Sequence, residues 1–129
     1  MLNKCLLYSG SKLDIYVIEE NGISEISNFI ESLPEPEFKK IAHRIDVLKD
    51  HGPSTNKEQF NNEGNDIYAL KTTDTRIYGF FHGKKSFVLA IGFMKNKQGG
   101  KKVERRYCTK ADALHKALLE GEVKPYGDC

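Results

Sequence analysis

Hydrophobic residues recur every three to four positions along much of the first half of the chain, and alternate along much of the second. Leu13, Ile15 and Val17 occupy every second position in Leu13–Glu20. With β-branched Ile15, Val17 and Ile18 this run predicts a strand, broken by Asn21-Gly22. In Ser24–Leu33, residues Ile26, Phe29, Ile30 and Leu33 share the buried stripe of a helix. Pro34 and Pro36 end that helix and suit the first turn of the next. The second helix runs from about Glu35 to His51 with Phe38, Ile41, Ala42, Ile45 and Leu48 on one face, and Gly52-Pro53 stops it. The short joint makes the two helices a hairpin, and polar Ser54–Asn65 reads as a loop.

The period then changes to two. Asp66–Lys71, Thr75–His82 and Ser86–Lys95 read as three strands of an antiparallel meander, turning at Thr72-Thr73-Asp74 and Gly83-Lys84-Lys85. Thr109–Asp112 resembles a capping box, so a last helix is expected over Thr109–Glu120 with Gly121 as its end signal. Lys101–Cys108 fits either an earlier turn of that helix or a strand. The expected order is β-α-α-β-β-β-α. The class is α+β: an N-terminal strand and a helical hairpin packed on one face of a mostly antiparallel sheet, with a C-terminal helix. Strict alternation puts Arg76, Tyr78, Phe80 and His82 on one face of their strand. On the next strand it groups Phe87, Leu89, Ile91 and Phe93 opposite the smaller Val88, Ala90 and Gly92. A face carrying Arg76, Tyr78 and His82 beside small residues suggests a shallow floor.

The 129 residues suit one domain, with its core about 12–120, and 39% hydrophobic content supplies a core without a metal or disulfide staple. The longest apolar run, Phe87–Met94, is far shorter than the ~20 residues a membrane helix needs. Cys5-Leu6-Leu7-Tyr8 is too brief for a signal peptide, so a cytoplasmic location and no membrane partner are expected. Cys5, Cys108 and Cys129 are scattered, and His43, His51, His82 and His115 show no ligand spacing, so neither a disulfide framework nor a metal site is indicated. No Gly-rich phosphate loop or basic recognition helix is present, which argues against a nucleotide enzyme or a helix-turn-helix regulator. No cofactor is expected.

The net charge of +2 hides an asymmetry. Residues 1–66 hold 7 Lys/Arg against 12 Asp/Glu, whereas residues 67–129 hold 13 against 6. Lys84, Lys85, Lys95, Lys97, Lys101, Lys102, Arg105 and Arg106 fall within one stretch opposed only by Glu104, the footprint of a polyanion partner. Arg, Lys, Tyr and His suit RNA cleavage by the RNA's own 2′-hydroxyl. That reaction needs a base, an acid for the leaving 5′ oxygen, and cations for charge developing on phosphorus. Each residue also has a plainer reading. Arg76 suits an ion pair with Asp66 or Asp74, Lys95 and Lys97 a solvated strand end, and His82 an ordinary pre-turn residue. Tyr78 and Tyr107 suit packed rings.

The runs Ile67-Tyr-Ala-Leu-Lys71, Thr75-Arg-Ile-Tyr-Gly-Phe-Phe-His-Gly83 and Phe87-Val-Leu-Ala-Ile-Gly-Phe-Met-Lys95, after a helical hairpin with a Leu33-Pro34 joint, resemble the RelE/HigB superfamily of bacterial toxins, most closely its phage-associated HigB-like branch. The resemblance covers about residues 12–120. It implies a RelE-like fold and a type II toxin that cuts mRNA, free or on the ribosome, and is neutralised by a cognate antitoxin. Arg76 matches the family's strand arginine and Lys95 the first lysine after Gly-Phe. The second lysine is replaced by Asn96, with Lys97 one place later, and Gln98-Gly99-Gly100 replaces the usual Lys-Thr-x-Lys-Thr-Pro. His82 and Tyr107 are candidates for acid–base work beside Arg76 and Lys95; Tyr78 and the other basic residues are candidates for RNA contact. A ParE-like toxin that inhibits DNA gyrase by protein binding, or an inactive phage-derived interaction module, are the alternatives. An antitoxin is expected to cover the basic sheet face with an acidic or amphipathic segment.

Overall fold

The computed structural model describes residues 2–95 and 100–121. Among the described residues it has six strands and three helices: β1 Leu2–Tyr8, β2 Asp14–Glu20, α1 Glu25–Glu31, α2 Glu35–His51, β3 Phe60–Gly64, β4 Ile67–Lys71, β5 Thr75–Phe81, β6 Ser86–Met94 and α3 Gly100–Glu120. The strands form one sheet in the order β1-β2-β6-β5-β4-β3, antiparallel except for the β2–β6 pair. The α+β class is as expected.

The first two helices form where their local signals stand; Thr109–Asp112 is not a capping box, since Thr109 lies mid-way along α3 and its hydroxyl donates to the Arg105 carbonyl at 2.9 Å. The Ser24 side chain caps α1 by accepting from the Ser27 backbone N–H at 3.2 Å. Pro36 sits in the first turn of α2, and Gly52 ends that helix at φ +85°, a conformation that favours glycine. The segment Lys101–Cys108, open between helix and strand in the sequence, belongs to α3.

Two strands escape the sequence pattern. β1 is an edge strand without clean alternation, and it buries Lys4, whose ammonium lies 4.2 Å from the Tyr16 ring centroid and donates to the His82 carbonyl at 3.4 Å. β3 lies inside the segment read as a loop. It pairs with β4 across Asn65 and Asp66, both at positive φ. Two left-handed residues joining antiparallel strands are the signature of a type I′ hairpin, and Gly64-Asn65-Asp66 is the sequence signal that announces it.

The helices cover both faces of the sheet, not one. α1 and α2 pack over Ile15, Val17, Leu70, Ile77, Phe87 and Leu89. α3 packs over Ile67, Ala69, Tyr78, Phe80, Val88 and Phe93 through its own Ala111 and Leu118. The reason lies in β4, β5 and β6, which are apolar on both sides and must be covered twice.

Strict alternation fails on β6. Tyr78 pairs with Ile91 but Gly79 pairs with Leu89, so Ala90 is an extra residue, a β-bulge. Past the bulge the faces exchange. Phe93 turns toward α3, while Gly92 turns toward α1, where a Cβ would meet the Phe29 ring at 2.6 Å. Opposite the bulge, Gly79 runs so close to β6 that a Cβ would meet the Val88 carbonyl oxygen at 2.2 Å.

Cys108 is a free cysteine, half-buried on α3's packed face. No helix among the described residues is long and apolar enough to cross a membrane.

Candidate functional site

At one end of the sheet, the C-terminal ends of β4 and β6 meet the start of β5, the outer face of α2 and the loop before β3. Between them lies a groove of about 580 Å³, lined by Arg44, Asn56, Lys57, Glu58, Gln59, Lys71, Thr72, Thr73, Arg76 and Lys95. Five of these side chains are cationic and only Glu58 is acidic.

The walls are held by backbone bonds. The Asn56 side chain accepts from the Glu58 N–H at 2.9 Å, its carbonyl accepts from the Gln59 N–H at 2.9 Å, and the Gln59 carbonyl accepts from the Lys71 N–H at 2.9 Å. The polar loop is thereby stitched to β4. Arg44 Nε donates to the Lys71 carbonyl at 2.9 Å, joining α2 to the same strand end. The Lys95 N–H donates to the Asp74 carbonyl at 2.7 Å, which fixes the far wall.

Arg76 is the second residue of β5, just past the turn from β4. Its Nη1 donates to the Thr72 carbonyl at 2.6 Å and the Thr75 carbonyl at 3.0 Å. Among the described residues it makes no ion pair, with Asp66, Asp74 or any other acid, and its Nε and Nη2 make no hydrogen bond. One end of the guanidinium is thus fixed by the turn, and the Nε–Nη2 edge is left to meet a planar anion two-pronged. Lys71 and Lys95 have distant acidic neighbours, Glu63 at 3.6 Å and Glu104 at 4.0 Å. Such partly exposed pairs hold their charges loosely, typically by about 0–1 kcal/mol.

Beneath the turn lies a buried carboxylate, Glu37 of α2, 6% exposed. Its Oε1 accepts from the hydroxyls of Thr72 at 2.5 Å and Thr75 at 2.6 Å, and its Oε2 lies 3.4 Å from Lys40. Burial opposes its ionisation, but the hydrogen bonds from Thr72, Thr75 and Lys40 outweigh burial and hold the carboxyl below its ordinary 4.5. A depressed native value stabilises the fold above the unfolded value, and that gain is lost as pH falls through the native one. The stability gap between the wild type and Glu37→Gln is therefore expected to be level from neutral pH down to about 4.5 and to shrink below it. Urea unfolding of both proteins across this range checks the expectation, and a gap indifferent to acid would refute it.

The other residues singled out in the sequence fall in three places. Tyr78 is buried, at 1% exposure, because α3 covers the face expected to be a shallow floor, and His82 is buried as well, at 5%. The Tyr78 ring packs edge-on against Phe93, and burial pushes its hydroxyl well above the usual tyrosine range. Tyr107 stacks flat on Phe93 with centroids 4.4 Å apart. Both tyrosines are packed rings, and neither they nor His82 line the groove. Lys84 and Lys85 are exposed on the β5–β6 turn, separated from Arg76 by the length of β5, roughly 20 Å. Lys101, Lys102, Arg105 and Arg106 are exposed on the first two turns of α3, which Glu104 brings beside Lys95. Lys97 lies outside the described residues.

Arg44, Lys57 and Glu58 had no mark in the sequence, since helix α2, the loop and the strand ends meet only in the fold. Among the described residues no group of three or more His, Cys, Asp or Glu side chains is placed to hold a metal ion.

No curated protein matches the chain significantly. A family model described as phage derived protein Gp49-like (DUF891) matches residues 28–116, more than half of the chain and every residue that lines the groove. The chain belongs to the phage-derived Gp49-like family, a family of RelE/HigB-type toxins.

Proposed function

We propose that this chain is the toxin of a type II toxin–antitoxin pair, of the HigB branch, and that it cuts messenger RNA under translation through the RNA's own 2′-hydroxyl. The observation that carries this is the groove: five cations converge on a space of about 580 Å³ with one carboxylate among them. A phosphodiester in that space meets the free edge of Arg76 beside the ammonium groups of Lys71 and Lys95. Charge gathers on the non-bridging oxygens as the 2′ oxygen attacks phosphorus, and fixed cations favour that state over the ground state. The 2′-oxygen–phosphorus bond forms, the bond to the 5′ oxygen breaks, and a 2′,3′-cyclic phosphate remains. Lys95 supplies charge and a proton to the leaving 5′ oxygen. Lys101, Lys102, Arg105 and Arg106 extend the cationic surface along α3 for the flanking strand. Cytoplasmic action on mRNA and neutralisation by an antitoxin belong to the same proposal.

Glu58 takes the part of base. Among the described residues lining the groove it is the one carboxylate, the other side chains there being cationic, amide or hydroxyl. Glu58→Gln is expected to slow cleavage about 10²–10⁴-fold with RNA affinity kept. Single-turnover cleavage of a short RNA measures this, and a wild-type rate would move the base elsewhere.

The whole proposal is tested by mapping mRNA 5′ ends after brief induced expression. New ends within coding regions are expected. Intact mRNA with inhibited gyrase supercoiling would instead place the chain with ParE-like toxins.

A further inference from the structure

We infer that Glu37 is a positioning residue for Arg76: a buried carboxylate on α2 that holds the arginine's planar fork in place through the turn between them. The connection runs through two residues used twice. The hydroxyls of Thr72 and Thr75 donate downward to Glu37 Oε1 at 2.5 and 2.6 Å, and the carbonyls of the same residues accept upward from Arg76 Nη1 at 2.6 and 3.0 Å. The turn is closed on itself as well. Thr72 N–H donates to the Thr75 carbonyl at 3.1 Å, and Thr75 N–H donates to Thr72 Oγ1 at 3.1 Å. Asp74, within the turn, accepts from the Lys95 N–H at 2.7 Å. A shift of this turn therefore moves both Arg76 and Lys95.

Glu37 is suited to the task. An ionised carboxylate makes hydrogen bonds about twice as strong as a neutral acceptor does. Its place in the first turn of α2 adds the favourable field of the helix N-terminus. Thr75 is fully buried and Thr72 nearly so, so water does not replace the carboxylate beneath the turn. Arg44 anchors the other side of the groove from the same helix, through the Lys71 carbonyl. Helix α2 thus sets the spacing across the groove from two of its residues two turns apart.

The test, resting on the RNA-cutting reading above, is a double-mutant cycle on the full chain. Affinity for a short fluorescein-labelled single-stranded RNA is measured by anisotropy for the wild type, Glu37→Gln, Arg76→Ala and the double variant. Glu37→Gln is expected to weaken binding roughly tenfold, within the coupling range of interacting residues. It is expected to add nothing once Arg76 is gone. Losses that simply add would overturn the proposal, since a general structural role weakens both backgrounds alike. Thr75→Val, which keeps the side-chain shape and removes a hydroxyl that donates to Glu37, is expected to repeat the result and serves if Glu37→Gln does not fold. If the wild type binds no RNA, the functional reading fails by itself. Positioning is then read from the Arg76 guanidinium NMR signals, expected to shift and average in Glu37→Gln. Unchanged signals from the folded variant would reject it.

Discussion

Arg76→Ala is expected to slow RNA cleavage about 10²–10³-fold, the usual cost of removing one preorganised donor from developing charge. Arg76 is the lining residue best built for that task. Its Nη1 is committed to the Thr72 and Thr75 carbonyls, so the guanidinium plane is set before RNA arrives. The order it needs is already present, so little of its interaction with the transition state is lost in ordering it. The substitution leaves the fold nearly intact. Thr72 borders the open groove, and the Thr75 carbonyl keeps its bond from the Thr72 N–H, so unfolding in urea is expected to change little. Arg76→Lys is the sharper control. It keeps the charge but loses the two-pronged edge, and it is expected to restore binding more than rate. Single-turnover cleavage by the three proteins decides the matter. A folded Arg76→Ala chain that cuts RNA at the wild-type rate would remove the groove from the mechanism.

Phe93→Ala is expected to destabilise the fold by about 3–5 kcal/mol, the usual cost of deleting a buried phenylalanine. A domain of this kind has only about 5–15 kcal/mol in all. Phe93 is 4% exposed, stacked on Tyr107 of α3 and edge-on to Tyr78 of β5. It is the main aromatic contact near the N-terminal half of α3; farther along, His115 stacks on Phe80 with centroids 4.1 Å apart. Loss of Phe93 is therefore expected to loosen the half of α3 that carries Lys101, Lys102, Arg105 and Arg106. Urea unfolding gives the global loss, and hydrogen exchange on α3 amides gives the local one. A variant as stable as the wild type would show that α3 is held chiefly by Ala111, His115 and Leu118.

Phe93 also shows where reading by period stops. Alternation assigns it to the face of Phe87 and Leu89, and the Ala90 bulge sends it to the other. A bulge is decided by how two strands fit, so one strand's pattern does not contain it. Burial of Tyr78 likewise depends on a distant partner. Its own strand gives it a face correctly, and a helix more than twenty residues later closes it.

What the sequence determined by itself was whatever depends on neighbours a few residues away. The bounds of α2, the Gly52 stop and the three meander strands follow from spacing and turn chemistry. Arg76 and Lys95 were legible too, as cations at the ends of apolar strands. The tertiary structure decided what depends on distant pairing. β1 and β3 become strands because β2 and β4 offer edges to them, despite buried Lys4 in one and Asn-Asn-Glu in the other. Arg44, Lys57 and Glu58 become neighbours of Arg76 because α2 and the loop before β3 pack against the strand ends. Local pattern records which face a residue prefers. The charge of a groove is a sum over residues that only the packed chain brings together.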